Sequence, residues 1–238
     1  MVLCGSTDQF RRATPGVDHR HTLGVAYPAR KVVYLNCEEI ERRRFESLDI
    51  TLRHELSHLI VGEVVRRGHR RVPLWFDEGV AVWNSGKIPC YDQRDFQRAV
   101  AAGRLAPLAR LADRFPLDVV ARGVAYEQSE SFVRYLVREH GERVVRDILQ
   151  AAARGTDFEA AVREATGADL AVLEERWLRA IRPWWPWASW IVNTFSLFST
   201  MSVLALVAFY IYWRRRRRRY QEWEMEESFR GQEDSPWR

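Results

Sequence analysis

The chain predicts an α+β fold that is mostly helical, with a small N-terminal β-sheet, followed by one C-terminal transmembrane helix. Three observations predict it. Short β-type runs are confined to the first 36 residues, glycine-punctuated helical periodicities follow up to residue 181, and residues 188–213 contain no charged side chain. At 238 residues, 47% hydrophobic and 29% charged, the chain can bury one core of about 180 residues and still carry appended segments. The domain expectation is therefore one folded domain over 1–183, a membrane helix with aromatic flanks over 184–213, and a basic then acidic disordered cytoplasmic tail over 214–238.

In order along the chain, strands are expected near 2–6, 24–27 and 31–36, forming a sheet whose edge could pair with an extended peptide backbone. Helices are expected near 38–44, 47–67, 74–84, 92–103, 117–139, 142–153, 157–165 and 169–181. Gly141, Gly155 and Gly167 separate the last four, as helix stops should. No internal repeat is present.

The chemistry concentrates in two of these helices. Residues 54–58 read His-Glu-Leu-Ser-His, and Glu78 stands twenty positions beyond His58, within Trp75-Phe76-Asp77-Glu78-Gly79-Val80-Ala81. Positions i and i+4 share one face of a helix, so His54 and His58 can aim their imidazoles at one ion. Glu55 lies about 100° round from His54, too far to share the metal but close enough to reach a water bound to it. Two nitrogen ligands, an acid/base and a third ligand from elsewhere look like a catalytic zinc site with an open coordination position. Ser47 and Asp49 supply cap candidates, and Leu48, Leu52, Leu56, Leu59 and Ile60 recur at helical spacing, which places the motif on a buried helix. The loop Arg66 to Pro73 lets this helix and the next pack antiparallel and bring Glu78 under the histidines. Asp77 is an alternative ligand, or an outer partner that orients a histidine.

This combination resembles the gluzincin zinc metallopeptidases, and most closely the compact bacterial proteins of the peptidase MA-like family. The resemblance extends to Gly24-Val25-Ala26-Tyr27 before a strand and to the string from Ala125 to Leu136, and covers about residues 20–182. It implies a zincin-like metallopeptidase domain with one Zn2+ on His54, His58 and Glu78, and Glu55 as general base acting on peptide or protein substrates. It also implies a tyrosine hydroxyl stabilising the oxyanion, for which Tyr126 is the candidate, an aromatic packed at a helix start being the other reading. Two departures stand out. Gly24 to Pro28 contains no acid to grip a free amino terminus, so an endopeptidase-like activity is expected. Val82 stands where the thermolysin-like pattern has an aspartate, so whatever orients His54 must come from elsewhere. The alternative to a hydrolase is a catalytically silent binding module that keeps the fold.

The uncharged run 188–213 exceeds the roughly 20 residues a membrane helix needs. Trp184, Trp185, Trp187 and Trp190 precede or open it, and Tyr210, Tyr212 and Trp213 close it, as interfacial belts would. The six arginines 214–219 follow at once. They place the expected contact with the lipid bilayer at 188–213, the tail in the cytoplasm and the catalytic domain across a cell membrane spanned once. Removing those six charges turns the formal net charge of +5 into −1, so the remainder has no broad basic face for nucleic acid. The tail from Tyr220 onward is acidic and polar. An exported domain needs a leader that Met1 to Ser6 does not provide, so this start is expected to lie within a longer reading frame.

Other candidates carry little. Cys4, Cys37 and Cys90 lack metal spacing and leave one disulfide or three thiols open. His19, His21, His69 and His140 receive no role, and the basic loop 66–71 reads as a solvated face.

Overall fold

A three-stranded sheet begins the chain, in the computed structural model that describes residues 1–17, 22–43, 47–68, 71–86, 93–182 and 201–213. Its strands are β1 (Val2–Cys4), β2 (Gly24–Tyr27) and β3 (Val32–Asn36), in the order β1-β3-β2. The central strand pairs parallel with β1, Leu3 opposite Leu35, and antiparallel with β2, Gly24 opposite Leu35. The alternation of β3 buries Val33 and Leu35, which with Ile40 form a small core closed by Leu52 and Leu59. Helix α1 (Thr7–Ala13), which the sequence reading passed over, starts at Ser6, whose side chain accepts the Gln9 N–H, and buries Phe10. A short 3-10 turn, Pro28–Arg30, joins β2 to β3.

After α2 (Cys37–Arg42), the chain is helical: α3 (Leu48–Gly68), α4 (Leu74–Ser85), α5 (Gln93–Ala101), α6 (Val119–His140), α7 (Arg143–Ala153), α8 (Phe158–Thr166) and α9 (Leu170–Ile181). These bounds lie within a few residues of those expected, because caps and breakers set them. Ser47 accepts the Ile50 N–H at 3.3 Å at the head of α3, Asp118 accepts the Ala121 N–H at 2.8 Å at the head of α6, and Gly167 ends α8 at φ +74°. The main core lies among α3, α4 and α6 to α9, built round Trp75, Phe76, Phe132, Phe158 and Trp177 in edge-to-face contact.

Glycines decide how closely these helices cross. A Cβ on Gly79 would meet the Ser129 backbone oxygen at 2.6 Å, so α4 and α6 touch backbone to backbone beside Glu78. A Cβ on Gly68 would collide with the Ala152 backbone, which fixes the end of α3 on α7.

One sequence expectation is corrected. The leucine stripe is not the buried face of α3: Leu48, Leu56 and Ile60 are exposed, whereas Thr51, Glu55, Ser57 and Val61 are buried. The covered side of α3 is the one turned to β2 and α4, and it carries the polar residues of the site. Leu52 and Leu59 do reach the small sheet core.

The chain divides into two units, Met1–Arg182 and Pro183–Arg238. In the second, residues 201–213 form a helix whose large apolar side chains are exposed. It extends about 20 Å, against a hydrocarbon core of about 30 Å. Among the described residues no helix is long and apolar enough to cross a membrane. Residues 188–200 of the expected span, the tryptophans at 184, 185, 187 and 190, the arginine run 214–219 and the tail lie outside the described residues, as do His19, His21, His69 and Cys90.

Candidate metal centre

Helix α3 presents His54 and His58 one turn apart, their rings 4.8 Å apart at centroids and nearly perpendicular. Helix α4 brings Glu78 in from the side. The Nε2 atoms of His54 and His58 lie 3.2 Å apart, and Glu78 Oε2 is 3.5 Å from the first and 3.6 Å from the second. Ligands at 2.0–2.1 Å round a tetrahedral zinc ion are separated by about 3.3–3.4 Å. The three atoms therefore have the spacing of one face of such a tetrahedron, and they are the group among the described residues that could hold a metal ion. Glu78 Oε2 is buried with no hydrogen-bond partner. A buried carboxylate oxygen facing two imidazole nitrogens at this spacing is a donor set suited to a divalent cation.

Asp77, one residue before Glu78, takes the other side of His58. Its Oδ1 is 2.9 Å from His58 Nδ1, so the ring donates there and turns Nε2 towards His54 and Glu78. His54 has no counterpart: its Nδ1 is buried without a hydrogen-bond partner.

Electrostatics follow from this crowding. Burial alone would depress His58, but the hydrogen bond to Asp77 and the charges of Glu78, Asp77 and Glu55 outweigh it and push its pKa up to about 10. Burial works against ionised Glu78 too, yet the adjacent His54 ring, the charges of both histidines and the Tyr126 hydroxyl hold it below the usual carboxylate range. The cluster is built for a positive charge among its nitrogens and carboxylate.

Glu55 points to the sheet side of α3, is 7% exposed, and lies over Gly24 of β2. A Cβ at Gly24 would sit 2.6 Å from Glu55 Cγ, and the Ala26 backbone N–H donates to the carboxylate. Burial raises the Glu55 pKa, with Glu78 adding to it, against the lowering influence of both histidines and of Ala26. Tyr126, on the second turn of α6, directs its hydroxyl to Glu78 Oε1 at 3.5 Å and meets Phe115 edge to face at 4.9 Å. All five residues singled out in the sequence thus come together at one place.

Two contributors were missed. Gly24 was quoted only as part of a string, although its missing side chain makes room for Glu55. Arg71 is exposed, as a solvated face implies, and it also lines a cavity of about 410 Å³ together with Ala26, Pro28, His58, Val61, Gly62, Val65, Val72, Asp77 and Glu78. Arg66 and Arg67, by contrast, pair with Glu63 at the surface. The one sequence signal for Arg71 was its place two residues before Pro73, where the chain turns into α4.

A family model described as Peptidase MA superfamily matches residues 13–183. No curated protein and no solved structure matches the chain.

Proposed function

The chain belongs to the Peptidase MA superfamily, and from that premise we propose that it is a zinc-dependent, endopeptidase-like metallopeptidase acting on peptide or protein chains at the His54, His58 and Glu78 centre. The observation that carries this reading is the triangle of ligand atoms with sides of 3.2, 3.5 and 3.6 Å. A zinc ion bound there would supply Lewis acidity towards a peptide carbonyl and towards a water molecule.

The chain's own groups divide the remaining work. Asp77 holds the His58 ring through Nδ1, so that Nε2 is the nitrogen turned into the site, where a metal ion would take the place of its proton. Glu55 accepts the proton of the attacking water and returns it to the nitrogen of the leaving amine. Burial raises its pKa, which strengthens it as an acceptor of the water's proton. Tyr126 stands beside Glu78 with a hydroxyl able to donate to the developing oxyanion.

Membrane attachment belongs to the same proposal. It is supported by the uncharged run 188–213, the arginines 214–219 beside it, and the exposed apolar side chains of 201–213. With the arginines on the cytoplasmic side, the catalytic unit lies outside the cytoplasm.

The test is elemental analysis of the purified chain, together with hydrolysis of a quenched peptide library by the wild type and by Glu55→Gln and His58→Ala. One zinc per chain, lost in His58→Ala, and cleavage lost in both variants is the expected result. A chain that retains no zinc, or a Glu55→Gln variant that cleaves like wild type, overturns the reading.

A further inference from the structure

We infer that the cavity beside the triad is a subsite for a carboxylate of the substrate, with Arg71 as its counter-ion; this rests on the peptidase reading and names the substrate class. The cavity shares His58, Asp77 and Glu78 with the metal centre, so a chain placed for hydrolysis there has a neighbouring group within its reach. Its volume of about 410 Å³ is at the lower end of the range for ligand pockets and suits one side chain or chain end.

Its walls are Ala26 and Pro28 from the sheet side, Val61 and Val65 of α3, and Val72 ahead of α4. Gly62 closes the floor, because a Cβ there would collide with the Pro28 ring. These walls take methylene groups. The polar lining is unequal. Asp77 is engaged by His58 Nδ1, and Glu78 faces the two imidazoles. Of the two basic lining residues His58 is paired with Asp77, and none of the ion pairs of the described residues engages the exposed Arg71.

The free charge in the cavity is therefore positive. A guanidinium at an apolar pocket takes a carboxylate through two parallel hydrogen bonds, whereas an ammonium group is repelled. This agrees with the lack of an acid between Gly24 and Pro28: the strand flanking the cavity has nothing to hold a free amino terminus. Arg71 is a specificity residue, since the hydrolysis is assigned to other groups.

Two sources supply a carboxylate, an internal Glu or Asp and a free chain end. The experiment uses the zinc-loaded full chain in detergent micelles and three matched quenched peptides. One is blocked at both ends with Glu scanned along it, one has Gln in its place, and one is the Gln peptide with a free carboxyl end. Expected is a preference of tenfold or more in kcat/KM for one carboxylate-bearing peptide over the blocked Gln peptide. It disappears in Arg71→Ala, and in Arg71→Glu the carboxylate-bearing peptide becomes the poorer substrate. A preference for the Glu peptide identifies a side chain, and one for the free-ended peptide identifies the terminus. Equal rates on all three, or a preference that survives Arg71→Ala, overturn the inference. Calorimetric titration of the same peptides into metal-free protein reads the pocket without turnover. Binding that depends on both carboxylate and Arg71, with no cleavage of any peptide, would sink the peptidase reading and keep the subsite. Equal affinities for Glu and Gln peptides would sink the subsite.

Discussion

Asp77 and Glu78, consecutive residues of one helix, take opposite nitrogens of the same ring: Asp77 Oδ1 lies 2.9 Å from His58 Nδ1 and Glu78 Oε2 lies 3.6 Å from His58 Nε2. Neighbouring positions on a helix diverge by about 100°, so His58 is inserted between two carboxylates that point apart. His54 has only the inner contact. Its Nδ1 is unpartnered, and its place in the cluster depends on the atoms it shares with His58 and Glu78.

Asp77→Asn is expected to weaken zinc binding about 10- to 100-fold, as loss of an outer carboxylate does in other histidine sites. The amide keeps the shape but not the charge that makes His58 a stronger donor. Competition with a zinc-binding dye measures the affinity. Unchanged affinity would mean that the 2.9 Å contact has no part in holding the metal.

The raised pKa of His58 predicts opposite pH responses with and without metal. A histidine whose folded pKa stands at about 10 against an unfolded 6.5 stabilises the metal-free fold fully below pH 6.5 and loses that contribution as pH rises through 10. Thermal melts in chelator should therefore fall over that window, and Asp77→Asn should flatten the fall. Zinc must displace the same proton, so its apparent affinity should rise about tenfold per pH unit from 6.5 upward. An affinity independent of pH between 6.5 and 8 would contradict this.

Much of the centre was legible because helix geometry is local. Two histidines four apart must share a face, and a glutamate next to the first must turn away from it, whatever the rest of the chain does. The cap residues and glycines were legible for the same reason. Contacts across elements were not. Nothing in the spacing of Gly24 and Glu55 says that one packs over the other, or that Arg71 borders the cavity beside His58. Periodicity also misjudged α3, because apolar spacing reports a stripe and not its cover. The side facing β2 and α4 is buried with Thr51, Glu55 and Ser57 on it, and Ser57 accepts a hydrogen bond from Asn84 at 3.0 Å.

Glu55→Gln should abolish cleavage and yet raise the melting temperature of the metal-free protein at neutral pH. A buried carboxylate with a raised folded pKa contributes stability below its ordinary unfolded value and loses it as pH rises through the folded one. Above the ordinary carboxylate range the unfolded carboxyl ionises while burial resists that charge in the fold, a cost that glutamine removes while still accepting the Ala26 N–H. Melts of both proteins in chelator at pH 4 and pH 7 test the sign. The gain should be present at pH 7 and vanish at pH 4.

Gly24→Ala separates the fit of Glu55 from its chemistry. The new methyl would lie 2.6 Å from Glu55 Cγ and 2.9 Å from Leu35 Cδ2, and Leu35 is fully buried in the sheet core. Glu55 must therefore yield. A displaced base is expected to lower kcat about 100-fold with zinc content intact, and overpacking to destabilise the fold by about 1–3 kcal/mol. Retention of full kcat would show that the base tolerates movement.

Tyr126→Phe removes one hydroxyl and keeps the ring against Phe115, so the helix start and its packing are preserved. If the hydroxyl donates to the oxyanion, kcat falls about 100- to 1,000-fold while KM and zinc content hold. The 3.5 Å approach to Glu78 Oε1 allows a different effect, in which the hydroxyl merely steadies the carboxylate. Zinc affinity would then fall in Tyr126→Phe and kcat at saturating zinc would stay near wild type. Steady-state kinetics on zinc-saturated enzyme, set beside a zinc titration, separates the two. A developing charge is stabilised only during turnover, whereas a steadied ligand is felt whenever metal binds.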